Sequence, residues 1–133
     1  MKFLLLLLLP FTAFGVTKYN NLMVDNLVFN NTTNYSKAME LSSVGTYSIQ
    51  LKYSGSSLAG TVTPQVTNVS SNGQCSTTLA DYVDLTSLAH TITAGGDNII
   101  FNVTGAGYQC VRLKMVSSNA NNITVNAYFT GKR

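Results

Sequence analysis

Thr46-Tyr47-Ser48-Ile49-Gln50-Leu51-Lys52-Tyr53 alternates without a break between large apolar or aromatic residues and polar ones. Successive side chains of a strand point to opposite faces, so this octapeptide reads as a strand with Tyr47, Ile49, Leu51 and Tyr53 inside and Ser48, Gln50 and Lys52 in water. The same period of two recurs downstream. Ile99, Phe101 and Val103 alternate with polar partners; Val111, Leu113 and Met115 alternate with Cys110, Arg112 and Lys114; Ile123, Val125, Ala127 and Phe129 alternate with Thr124, Asn126 and Tyr128. Further strands are predicted at 24–29, 36–41, 59–67 and 79–84, with a weaker one at 88–93.

Turn residues separate these runs: Ser43-Val44-Gly45, Ser54-Gly55-Ser56, Ser71-Asn72-Gly73, Ala94-Gly95-Gly96 and Ser118-Asn119-Ala120-Asn121. No window carries a helical period, and in Leu79 to His90 the aromatic and β-branched residues Tyr82, Val83 and Thr86 favour strand. The pattern predicts an all-β chain: an antiparallel two-sheet β-sandwich, jelly-roll or immunoglobulin-like Greek key, of about eight strands. Its core is expected to hold Tyr47, Ile49, Leu51, Val62, Val66, Ile99, Phe101, Val103, Val111, Leu113, Ile123, Val125 and Phe129. Pro64 interrupts a good strand. Proline cannot donate to a ladder, so that strand is expected at an edge or with a bulge.

Upstream, Lys2 precedes a seven-residue apolar run, Phe3–Leu9, followed by Pro10 and by Ala13-Phe14-Gly15. Charged start, apolar middle and a small-x-small window are the order of a secretory signal, and the run is far short of the roughly 20 residues of a spanning helix. Residues 1–15 are therefore expected to be a signal peptide and 16–133 a single domain beginning at Val16. The alternative is an apolar tail that is kept for docking. The expected location is secreted, periplasmic or on a cell or virion surface.

Composition narrows the function. Charged residues are 10% of the chain, against about 25% in an ordinary soluble domain. The net charge is +3 and its cations are scattered, with only Arg112 and Lys114 sharing a strand face. A nucleic-acid binder needs a basic stripe, so nucleic acid is not an expected partner. Two cysteines, Cys75 and Cys110, in an exported chain pair most simply as one disulfide. Such a closure is worth roughly 3–4 kcal/mol in the chain-entropy picture. Cys110 shares its face with Arg112 and Lys114, so the bridge is expected to clip a loop onto the outer face or edge of a sheet and not to cross the core.

No catalytic constellation is visible. His90 is the single histidine, and the acids Asp25, Glu40, Asp81, Asp84 and Asp97 are scattered. Asp81 and Asp84 read as a turn pair or as half of a calcium site, which needs six to eight oxygens. Gly95-Gly96 lacks the following helix of a phosphate loop. No metal-ligand spacing occurs, so neither a metal nor another cofactor is expected, and the chain is not expected to be an enzyme. Six Asn-x-Ser/Thr triplets, at Asn30, Asn31, Asn34, Asn68, Asn102 and Asn122, are glycan acceptors only in a eukaryotic secretory pathway. Tyr108 and Tyr128 fall out of register with the core; beside Arg112 and Asn126 they are candidates for stacking on sugar or peptide, or else for a cross-strand pair.

Tyr47-Ser48-Ile49-Gln50-Leu51, Gly55-Ser56-Ser57-Leu58-Ala59-Gly60-Thr61-Val62, Asn72-Gly73, Ala106-Gly107-Tyr108-Gln109-Cys110-Val111-Arg112-Leu113-Lys114 and Phe129-Thr130-Gly131-Lys132 follow one another in an order and spacing that resembles small β-sandwich proteins of tailed bacteriophages. The likeness covers roughly residues 44–132. In that group aromatic residues often stand where Cys75 and Cys110 stand here, so the resemblance suggests an aromatic pair replaced by a disulfide. It implies a virion or surface structural module without enzymatic activity. The leader departs from it, since virion proteins assemble in the cytoplasm; an exported bacterial relative fits both. Taken together these readings point to an exported structural subunit that self-associates or joins other surface or virion proteins. The alternative is a carbohydrate-binding or adhesion module that uses Tyr108, Arg112 and Tyr128.

Overall fold

The computed structural model describes residues 18–42, 44–93, 95–104 and 107–132. The leader expected at 1–15 and the terminus expected at Val16 lie outside the described residues. The strands are β1 (Lys18–Phe29), β2 (Thr33–Tyr35), β3 (Met39–Glu40), β4 (Thr46–Ser54), β5 (Gly60–Thr67), β6 (Ser70–Ser71), β7 (Gln74–Cys75), β8 (Val83–Asp84), β9 (His90–Ile92), β10 (Asp97–Thr104), β11 (Cys110–Ser117) and β12 (Ile123–Lys132). Two 3₁₀ turns, Leu79–Asp81 and Thr86–Leu88, are the only helical elements among the described residues.

The strands form two main antiparallel sheets. One has the order β1-β12-β4-β10. In the other, β11 and β5 pair along their length; β2 and β3 flank β11, and β8 and β9 flank β5. The tiny β6-β7 hairpin stands apart. Apart from β1, which starts at Lys18 and not at the expected residue 24, the long strands match the alternating runs, and the count exceeds the expected eight because the flanking strands are fragments of two or three residues.

Each fragment has a local cause. The strand expected at 36–41 is split at Ser36, whose hydroxyl accepts the N–H of Leu113 at 2.8 Å and so takes the place of a ladder carbonyl. Residues 79–84 begin as a 3₁₀ turn, closed by Tyr82 N–H donating to the Leu79 carbonyl at 3.3 Å. Pro64 sits neither at the sheet's edge nor in a bulge. Its carbonyl accepts from Leu85 N–H at 2.8 Å, in the gap between β8 and β9. A strand residue turns its N–H and C=O to the same side, so the missing donor of Pro64 points into that gap.

The two sheets enclose one apolar core. Ile49, Leu51, Val62, Val111, Leu113, Ile123, Val125 and Phe129 are fully buried, and Tyr47, Val66 and Phe101 nearly so. Ile99 and Val103 pack against this cluster from the β10 edge and are only partly buried. In β1 the ladder slips between Leu22 and Val24 and again between Val24 and Leu27, so the adjacent residues Met23 and Val24 are both buried. The second slip is held by Asn26, at φ 43°, whose N–H donates to Asn126 Oδ1 (2.9 Å) while Asn126 Nδ2 donates to Asn26 Oδ1 (3.2 Å).

Gly60 is required by close approach: a Cβ there would lie 2.0 Å from the carbonyl oxygen of Val116 on the neighbouring strand. The β6-β7 turn needs Asn72-Gly73, since both residues have positive φ, 52° and 73°. That is the backbone of a type I′ hairpin.

Candidate functional site

Alternation along β11 turns Val111, Leu113 and Met115 inward and Cys110, Arg112 and Lys114 outward. The outward row is nonetheless covered. Segment 68–89 leaves β5, forms the β6-β7 hairpin and returns across the outer face of β5 and β11. Thr63, Gln65 and Thr67, on the outer face of β5, are accordingly buried although they are polar.

Three fastenings hold this loop down. Cys75 is bonded to Cys110, with Cα atoms 5.8 Å apart, so the expected pairing forms and clips a loop to an outer sheet face. Asp84 accepts hydrogen bonds from Gln65 Nε2 and from Lys114 Nζ, the latter at 3.0 Å. The Gln65 bond, with help from Lys114, holds the Asp84 carboxyl below the usual carboxylate range despite partial burial. Third, the guanidinium carbon of Arg112 lies 3.6 Å from the centre of the Tyr82 ring and 4.4 Å from that of Tyr35. Tyr82 is itself braced, its hydroxyl donating to the Ser76 carbonyl at 2.9 Å while the Ser76 hydroxyl donates to Asp81.

Arg112 is thus not the exposed ligand contact expected from its strand face; it is 5% exposed. Its Nε donates to Gln65 Oε1 at 2.8 Å, and its buried Nη2 has no acceptor among the described residues. Burial lowers its pKa, with Tyr82, Tyr35 and Asp84 opposing; a guanidinium remains charged regardless. Arg112 forms part of the wall of a cleft of about 450 Å³ between β3 and the hairpin, with Ser36, Ala38, Glu40, Gln74 and Thr77. The carboxylate of Glu40 accepts from Ser42 N–H at 2.8 Å.

The three residues expected to bind ligand together do not meet. Tyr108 stands in the loop before β11, partly buried against the core. Tyr128 is 40% exposed on β12, on the outer face of the other sheet. Arg112 could have been placed by one further step of sequence logic: a loop tied to Cys110 must also cover the residue two positions on. Tyr35, Gln65 and Tyr82 carry no comparable signal, because their partners are set by strand order.

The outer face of the β1-β12-β4-β10 sheet is the opposite case, since nothing described covers it. Its register places Leu22, Tyr128, Gln50 and Ile100 in one row straight across the four strands. Leu22 is 46% and Ile100 58% exposed. The adjacent rows are Asn20-Thr130-Ser48-Asn102 on one side and Asn126-Lys52-Asn98 on the other. Lys52 is the single ionised group of the three rows.

Nothing else in the described residues gathers reactive groups. His90 Nε2 lies 3.2 Å from the Tyr53 hydroxyl. No group of three or more His, Cys, Asp or Glu could hold a metal ion among the described residues. Asp81 and Asp84 serve different partners, Ser76 and the Gln65–Lys114 pair. No described helix is long and apolar enough to cross a membrane.

These features define a two-sheet β-sandwich with one outer face capped by a disulfide-pinned loop and the other covered by none of the described residues. No protein-family model matches the sequence, and no curated protein matches it. The fold is similar to a chain in the structure of infectious bursal disease virus, Gx strain, with a TM-score of 0.55 and 12% identity over 88% of this chain and 32% of the viral one. The corresponding Gt-strain chain gives 0.53 and 11% over the same shares. The SPBc2 prophage-derived protein YomS gives 0.49 and 14%, over 87% of this chain and 95% of its own. This chain therefore spans about a third of the viral chains, and the likeness is one of fold.

Proposed function

We propose that the chain is an exported, non-enzymatic structural subunit that self-associates, as a surface, fibre or virion-type β-sandwich. The observation that carries this reading is the in-register row Leu22-Tyr128-Gln50-Ile100 on a sheet face with one charge in three rows. Exposed apolar side chains aligned across a nearly uncharged stretch of sheet are an interaction surface. A second copy suits it, because two such faces have almost no like charge to oppose. Next to this face runs β10, an edge strand paired on one side only, and an unblunted edge invites further strand pairing. The disulfide suits an oxidising compartment outside the cytoplasm. The virus-chain likeness adds that this fold is compatible with a structural role.

Mass photometry and electron microscopy of the purified, oxidised chain test the reading. Discrete oligomers or filaments are expected. A protein that stays monomeric at high concentration overturns it. His90→Ala should leave assembly and every measurable function intact, and loss of a turnover with that substitution would replace this reading with an enzymatic one.

A further inference from the structure

The cleft between β3 and the disulfide hairpin has a buried cation on one wall and a carboxylate on another. Arg112 is 5% exposed, its ring-sandwiched guanidinium is held in place by Tyr35, Tyr82 and Gln65, and Nη2 is left without a protein acceptor. Arg112 also lines the cleft, and a guanidinium so rigidly held loses little entropy on binding. Of the other described depressions, the one at the Thr46 end of the four-stranded sheet, about 290 Å³, has only the exposed Lys132 as a charged lining group.

Charge decides the ligand class. A free anion in the cleft meets the carboxylate of Glu40, and a free cation meets Arg112. A neutral group that both accepts and donates satisfies both walls, and among the other wall residues Gln74 and Thr77 add uncharged hydrogen-bonding groups. At about 450 Å³ the cleft falls within the roughly 300–1,000 Å³ of small-molecule sites. We propose that this cleft binds a neutral polyhydroxylated ligand, a sugar residue, with the part of the Arg112 guanidinium that lines the cleft donating to one hydroxyl and Glu40 accepting from another. The site lies on the capped sheet, away from the bare face used for self-association, and does not depend on that reading.

The test is a ¹⁵N heteronuclear NMR titration of the oxidised chain with neutral hexoses, N-acetylhexosamines and their oligomers, and separately with acetate and inorganic phosphate. Saturable shifts at Gln74, Thr77 and the Arg112 Nε–H are expected with at least one neutral sugar. Ala38→Trp, which fills the cleft without removing a bond, should abolish them. Glu40→Gln should weaken binding about tenfold, the loss of one charge-assisted hydrogen bond, and carries the test if the tryptophan variant fails to fold. Tyr128→Ala should leave binding unchanged. The proposal is overturned if no neutral sugar gives a saturable shift, if acetate or phosphate shifts these signals and sugars do not, or if Tyr128→Ala removes binding while Ala38→Trp keeps it. Mass photometry of the same samples reports self-association separately.

Discussion

The guanidinium of Arg112 stacks on the ring of Tyr82, 3.6 Å from its centre, and so fastens the long loop to the outer face of the sheet by a contact that no local sequence feature announces. The ring carries most of this fastening, and the hydroxyl adds one hydrogen bond to the Ser76 carbonyl. Tyr82→Ala should therefore cost ~2–4 kcal/mol through lost packing and an uncovered cation. Tyr82→Phe keeps the ring and should cost about 1 kcal/mol. Urea unfolding separates the two; equal losses would show that the stack contributes nothing.

Cys75–Cys110 closes the loop that Tyr82 fastens at its other end. Cys75→Ser with Cys110→Ser should lower stability by roughly 3–4 kcal/mol. The two sheets should survive, since every core strand pairs without the bridge. Amide exchange should rise in 68–82 and at Gln65 before it rises in β4, β11 or β12. In the oxidised, denatured chain neither thiol should react with iodoacetamide; reaction of both would refute the bond itself.

The contrast between these two contacts shows what the sequence made legible. Five of the six long strands lie where the period of two places them, because alternation reports burial directly; β1 starts at Lys18, six residues before the strand expected at 24–29. The bridge followed from compartment and an even cysteine count. What escaped depends on partners distant in sequence. β1 departs from simple alternation because two ladder slips are absorbed at Met23 and Asn26. Pro64 is tolerated away from the edge because its neighbour is broken into β8 and β9. Arg112 is buried although its strand face is polar, because a loop without periodicity folds over it. Tyr128 was recognisable as outward-facing, but its row with Leu22 and Ile100 exists only once strand order brings β1, β12, β4 and β10 together.

Tyr47 gives a pH prediction. Its ring stacks on Phe129, with centroids 5.5 Å apart, while its buried hydroxyl has no hydrogen-bond partner among the described residues. Burial, then the neighbouring Tyr108, pushes its pKa up from 10.0 to about 12. The folded value lies above the unfolded one, so the neutral phenol favours the folded state fully below pH 10.0, and that advantage disappears as pH rises through about 12. The wild-type chain should lose stability across this window. Tyr47→Phe should be neutral or slightly stabilising at pH 7, since it removes an unpaired hydroxyl. It should also flatten the alkaline limb of a stability–pH curve. An alkaline limb unchanged by Tyr47→Phe would assign the loss to other tyrosines.

Ile100 provides the sharpest test of self-association. It is the most exposed member of the apolar row, 58%, and it lies on β10, where the bare face meets the open edge. Its side chain contributes little to the monomer, so Ile100→Lys should change folding stability by no more than about 0.5 kcal/mol. A lysine there adds a cation to a face that already holds Lys52 and, two rows from Tyr128, the exposed Lys132, and bringing two copies together then opposes like charges across a desolvated contact. Lysine on an edge strand also discourages strand pairing. Oligomers should therefore dissociate at concentrations where the wild type is assembled, with the loss partly reversed at high salt. Val83→Lys is the control: Val83 is 66% exposed, but it lies in β8 at the edge of the other sheet, so its replacement should leave association through the Leu22-Tyr128-Ile100 face intact. If the two substitutions weaken assembly equally, association is non-specific; if Ile100→Lys has no effect while oligomers persist, the contact lies elsewhere than on the Leu22-Tyr128-Ile100 face.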